Sequence, residues 1–171
     1  MSTTKVSLGV IIGNRDFFPD RLVSEARADI MALFSALNIN PIMLSESESK
    51  LGGVETFKDA QKCADLFKKH RDEISGILVV LPNFGDEIGV AETIKLSGLN
   101  VPVLIQAYPD DLNKLDVARR RDSWCGKISV CNNLYQFGIK YTLTGQHVIH
   151  PSQPEFRRHR GSRSASAHPT G

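Results

Sequence analysis

Any chemistry in this 171-residue chain rests on a handful of polar and aromatic residues. Arg15 stands in Gly13-Asn14-Arg15-Asp16, directly after an apolar run. Its guanidinium is a fixed cation with a planar fork of donors, suited to a hydroxyl, a carboxylate or a phosphate. The plainer alternative is a surface arginine paired with Asp16 or Asp20. The same segment has neither the three glycines of a dinucleotide turn nor the Gly-Lys-Ser/Thr of a phosphate loop, so no nicotinamide or ATP site is expected there. A second segment, Pro82-Asn83-Phe84-Gly85-Asp86-Glu87, ends in two acids that suit the first turn of a helix. A third, Trp124-Cys125-Gly126-Lys127, puts a thiol near a helix start, where ionisation is eased. A packed, inert thiol is the simpler reading of Cys125. His147 and His150 are three apart without a third ligand, no two cysteines have zinc-finger spacing, and no Gly-x-Ser-x-Gly elbow exists.

The elements that must carry these residues alternate. Lys5–Gly13 reads as a buried strand, and Leu22, Val23, Ala26, Ile30, Leu33, Phe34 and Leu37 recur at helical spacing. Pro41–Leu44 follows as a short strand. Phe57, Ala60, Ala64 and Phe67 mark a second helix, with His70 a solvated cation near its end. Gly76–Leu81 is a third strand, and a helix opens at 85–87 and runs to about Leu96. Val101–Gln106 is a fourth strand, Asp110–Asp122 a charged connector, and Lys127–Phe137 a helix closed by Gly138. Lys140–Thr144 reads as a strand, with Val148–Ile149 its continuation or the next one. This alternation predicts an α/β domain over residues 5–156, a doubly wound, mostly parallel sheet of the flavodoxin-like or Rossmann-like kind. Ligands of such sheets bind beyond the carboxyl ends of the strands, where Arg15, Phe84 and the Trp124–Lys127 segment gather.

Composition narrows the classes. The chain is 41% hydrophobic, which excludes wholesale disorder, and no apolar run approaches the length of a membrane span. No signal peptide is expected, and three cysteines suit reduced thiols in a cytoplasmic protein. Residues 1–156 hold 17 Lys and Arg against all 19 Asp and Glu, so the body is mildly acidic and offers no nucleic-acid footprint. Residues 157–171 hold four arginines, no acid and no aliphatic residue larger than alanine, and are expected to be a disordered basic tail. That tail has three readings: a nucleic-acid arm, a natural disordered terminus, or an out-of-frame ending. The abrupt change after Phe156 favours the third.

Order and spacing of the motifs carry a more specific resemblance. Ile12-Gly13-Asn14-Arg15-Asp16-Phe17-Phe18-Pro19 resembles the opening of L-fucose isomerase-like proteins, in the superfamily that includes L-arabinose isomerases. Val79-Val80-Leu81-Pro82-Asn83-Phe84-Gly85-Asp86-Glu87 resembles their third strand and its turn. Asp122-Ser123-Trp124-Cys125-Gly126-Lys127-Ile128-Ser129-Val130-Cys131-Asn132-Asn133-Leu134 is the strongest segment, continued by Gly138-Ile139 and Tyr141–Thr144. The resemblance implies an oligomeric aldose–ketose isomerase in which manganese polarises a sugar carbonyl and carboxylates move a proton through an ene-diol. It also implies that the metal ligands lie in later domains, so that this chain is an N-terminal fragment, inactive alone and binding no cofactor itself. Arg15 and Phe84 occupy positions that contact the sugar across a subunit interface in L-fucose isomerases, although tryptophan stands at the Phe84 position there. Trp124 and Lys127 are assigned to substrate binding by location. The expected partners are a sugar substrate and, in the full-length protein, further copies of the chain, with no nucleic acid and no membrane. The competing reading is a stand-alone sugar-sensing or regulatory α/β binding module.

Overall fold

The structure is a computed structural model that describes residues 5–157. Among these residues, five strands form one parallel sheet: β1 (Val6–Ile12), β2 (Ile39–Ile42), β3 (Ile74–Leu81), β4 (Val103–Ala107) and β5 (Thr142–Leu143). Their spatial order is β2-β1-β3-β4-β5, and every pairing is parallel. This is the flavodoxin-like order, with the chain reversing direction between β1 and β3. The α/β, doubly wound expectation therefore holds.

Alternation along the central strands divides the core between two faces. Val10 and Ile12 of β1 and Leu78 and Val80 of β3 pack with Val23, Ala26, Ile30, Leu33 and Phe34 of α1 (Arg21–Leu37). Ile11, Val79, Leu81 and Ile105 face the other way. There they meet α2 (Phe57–Lys69), α3 (Glu87–Ser97) and α4 (Ser123–Gln136). Both faces are covered, which explains why these strands read as continuous apolar runs.

Local chemistry fixes the helix ends. Thr56 and Asp59 form a capping box at the start of α2. Asp86 caps α3 by accepting from the Gly89 N–H at 2.6 Å, so the acid pair at 86–87 does serve the helix start. Gly138 follows α4 in the left-handed region, and Gly98 does the same for α3. His70 caps the end of α2 and lies 2.9 Å from Glu73 Oε1.

Three expectations need correction. Helix α4 begins at Ser123, four residues before Lys127, so the Trp124–Lys127 segment is helix and not its approach. The strand expected over Lys140–Thr144 shrinks to Thr142–Leu143, because a two-residue ladder to Leu104 and Ile105 suffices at the sheet's edge. Val148–Ile149 is no strand; Ile149 instead donates its N–H to Ala107 O at 2.9 Å and accepts from Gln106 Nε2 at 2.7 Å. A short helix, α5 (Pro154–Arg157), ends the described part, and the basic stretch from Arg158 to Gly171 lies outside it. No helix among the described residues is long and apolar enough to cross a membrane.

Candidate functional site

Strands β1 and β3 are neighbours, and the loops that continue them meet at the carboxyl edge of the sheet, where ligands of such sheets bind. Two asparagines floor this junction. Asn14 and Asn83 are fully buried, and Asn83 Nδ2 donates to Asn14 Oδ1 at 2.7 Å. Asn83 Oδ1 accepts from the Gly85 N–H at 2.9 Å, and Asn14 Nδ2 donates to Glu55 Oε2 at 2.7 Å. Buried amides are costly unless satisfied, so this chain of bonds locks the two loops into one register. Burial pushes the Glu55 carboxyl above its usual range, against the opposing pull of Asn14 and Lys50.

Arg15 rises from this floor. Its Nε donates to Gly85 O at 3.0 Å, its Nη2 donates to Glu87 Oε2, and its guanidinium lies 4.8 Å from the centre of the Phe84 ring. Three separate contacts thus hold one side chain, which keeps about a quarter of its surface exposed. The expected pairing with Asp16 or Asp20 does not occur. Those acids face Lys50, whose Nζ lies 2.8 Å from Asp20 and 3.8 Å from Asp16. Arg15 and Phe84 are therefore brought together at the topological switch point, a cation over a half-buried aromatic face.

The third segment joins from the side. A β-carbon placed on Gly126 would fall 2.0 Å from Phe84 O, so only glycine lets α4 press against the backbone that presents Phe84. Trp124, two residues earlier, is half exposed and packs its ring 5.1 Å from that of His147, whose Nε2 lies 3.2 Å from Trp124 O. Cys125 is exposed rather than packed. Lys127 is wholly buried, and its ammonium donates to Thr144 Oγ1 at 2.8 Å and His147 O at 2.7 Å. Burial lowers it to about 8. Of the four residues singled out, Arg15 and Phe84 touch one another, Trp124 stands on the surface of α4, and Lys127 ties the 144–147 loop to that helix from beneath.

A separate network closes the end of β4. Buried Tyr108 donates to Asp29 Oδ2 at 3.0 Å, and His150 Nε2 reaches the same oxygen at 3.2 Å. His147 and His150 thus have different partners and do not converge. Among the described residues, no three histidine, cysteine or acidic side chains form a group able to hold a metal ion.

The residues that motif reading passed over are Glu87, Asn14 and Asn83. Asn14 and Asn83 each stand two residues beyond adjacent strands, and the 2-1-3 order makes them neighbours. Glu87 was visible as a helix-start acid, but its partner lies 72 positions away in sequence.

No curated protein matches the chain. The family described as fucose/sulfoquinovose isomerase, N-terminal domain, matches residues 9–161. That span takes in the Arg15 turn, the Phe84 turn and all of α4, and the chain belongs to this family of isomerase N-terminal domains.

Proposed function

We propose that this domain supplies sugar contacts to an aldose–ketose isomerase in carbohydrate metabolism, and that it does so from the β1/β3 edge. The observation that supports this most directly is the Arg15 guanidinium held over the Phe84 ring at the switch point. Sugars present hydroxyls around a ring and an apolar face of C–H groups. Arg15 retains donors for the first, and an aromatic ring covers the second. Trp124 offers a further aromatic surface, and Lys127 acts indirectly by fixing the loop beside it.

The manganese implied by the family resemblance finds no donor set among the described residues. Glu87 is committed to Arg15, and Asp16, Asp20 and Glu55 gather around Lys50. No proton transfer is therefore assigned to this domain; its part is binding and orientation. The cation and the proton-moving carboxylates belong to other parts of the isomerase, with this edge reaching an active site across a subunit contact. A cytoplasmic enzyme fits this reading.

The test is direct. Purified chain with manganese and L-fucose or L-arabinose should show no turnover. L-fucose should shift the amide resonances of Arg15 and Gly85 in an NMR titration, and Arg15→Ala should abolish those shifts. Robust isomerisation by the chain alone, or sugar shifts that survive Arg15→Ala, overturns the assignment.

A further inference from the structure

The matched family spans two kinds of sugar. Fucose is a neutral 6-deoxyhexose, whereas sulfoquinovose carries a sulfonate. The charges around Arg15 choose between them. Arg15 is matched by Glu87, so its cation is offset where a ligand would meet it. Lys50 has three carboxylates within 4.0 Å of Nζ, from Asp16, Asp20 and Glu55. Asp86 caps the helix start beside Glu87 and offsets the positive end of α3. Arg121 reaches Pro82 O behind the loop, but Glu25 matches it. Lys127 directs its ammonium to Thr144 and His147. Among these groups, four cations thus stand with six carboxylates, so the surroundings remain acidic on balance.

We infer that Glu87 makes this site selective for neutral sugars over sulfonated ones, by neutralising Arg15 on a rim that is already acidic. The inference rests on the sugar-binding reading above. Arg15 then serves as a hydrogen-bond donor to hydroxyls and not as an anion anchor. A sulfonate entering here meets net repulsion, a penalty that salt screens. Removing the Glu87 charge frees Arg15 for bidentate contact with an oxyanion.

Quinovose and sulfoquinovose are a matched pair that differ only by the sulfonate at C6. The experiment titrates the full chain with both, and with L-fucose, following the Arg15 and Gly85 amides at low salt and in 1 M sodium chloride. Quinovose should bind about fivefold or more tightly than sulfoquinovose at low salt, and the gap should narrow in high salt. Glu87→Gln should close or reverse the gap, and Asp20→Asn, on the exposed rim, should narrow it by a smaller factor without touching Arg15. Equal or tighter binding of sulfoquinovose to the wild type overturns the inference, as does a gap indifferent to salt and to both variants. Binding of L-fucose but of neither gluco sugar makes ring stereochemistry the selector and also overturns it, leaving the sugar site intact. Silence of all three sugars removes the sugar site itself.

Discussion

Two cations stand at the carboxyl edge of one sheet, and the protein treats them in opposite ways. Arg15 is partly exposed, paired with a carboxylate and laid over an aromatic ring. Lys127 is sealed inside and, among the described residues, bonded to a hydroxyl and a backbone carbonyl. A guanidinium held at three points keeps its shape while remaining open to a ligand. An ammonium deprived of water and of a counter-ion is held at an energetic cost, and what it gains is a fixed loop. Position at a strand end therefore does not decide which polar residues stay open to solvent. The deciding factor is whether the side chain's bonds are all spent internally.

Gly126 couples the two regions, since it lies next to Lys127 and against Phe84. Gly126→Ala should have the largest effect of any single change considered. Its new methyl would have to displace the Phe84 backbone or lift α4, and either movement breaks well-packed contacts. The expected loss is about 3 kcal/mol or more, seen as a fall in thermal midpoint on the order of 10 °C. The Arg15–Phe84 contact should loosen with it, read as broadened Gly85 and Arg15 resonances. A variant that melts within about 2 °C of the parent would show that the close approach is not required.

The buried lysine gives the next largest effect, and pH exposes it. Folded Lys127 titrates at about 8, because burial disfavours its charge. An unfolded lysine titrates near ~10.4. Between those values the unfolded chain holds a proton that the folded chain has released, so stability rises with pH across the window. Below it both forms are charged, and the folded state carries the whole cost of desolvation, on the order of 2–3 kcal/mol. Cys131 and Tyr141 act in the opposite sense. Burial raises both, so their protons leave the unfolded chain first and stability falls at high pH. Comparison with Lys127→Met separates the contributions. Wild-type stability minus that of the variant, from denaturant titrations, should climb between about pH 8 and about pH 10. A flat difference would mean that Lys127 is solvated.

The sequence disclosed the two halves of the molecule unequally, for the same physical reason. The β1, β3 and β4 runs were legible because a strand buried on both faces must be apolar throughout. The places of Arg15 and Phe84 just beyond β1 and β3 were legible because the apolar runs stop shortly before them. Location alone, on a segment read as the approach to a helix, assigns Lys127 to substrate and starts the helix at Lys127, whereas the helix begins at Ser123 and buries that side chain. In fact Ser123, Gly126, Lys127, Val130 and Leu134 form the buried stripe of α4, which mixes polar and small residues with apolar ones. A reading that demands hydrophobic spacing cannot find such a stripe and starts the helix late. The Arg15–Glu87 pair was hidden differently, since it depends on strand order and not on any local spacing. The edge strand β5 was overestimated because two ladder residues and a longer extended segment look alike in composition.

Trp124 and Lys127 sharpen the contrast at its smallest scale. They are three residues apart on one helix, yet one is half exposed and the other sealed. Trp124 is packed against His147 at the surface, where truncation leaves no buried cavity and no orphaned donor. Trp124→Ala should therefore change stability by no more than about 0.5 kcal/mol, the range of ordinary surface substitutions. If Trp124 serves the ligand and not the fold, the same variant should weaken L-fucose binding at the Gly85 amide while its denaturation curve overlays that of the parent. A loss of stability comparable to that of Gly126→Ala would place Trp124 with the internal clamp, and the division drawn between open and sealed residues would then fail on the very helix that displays it.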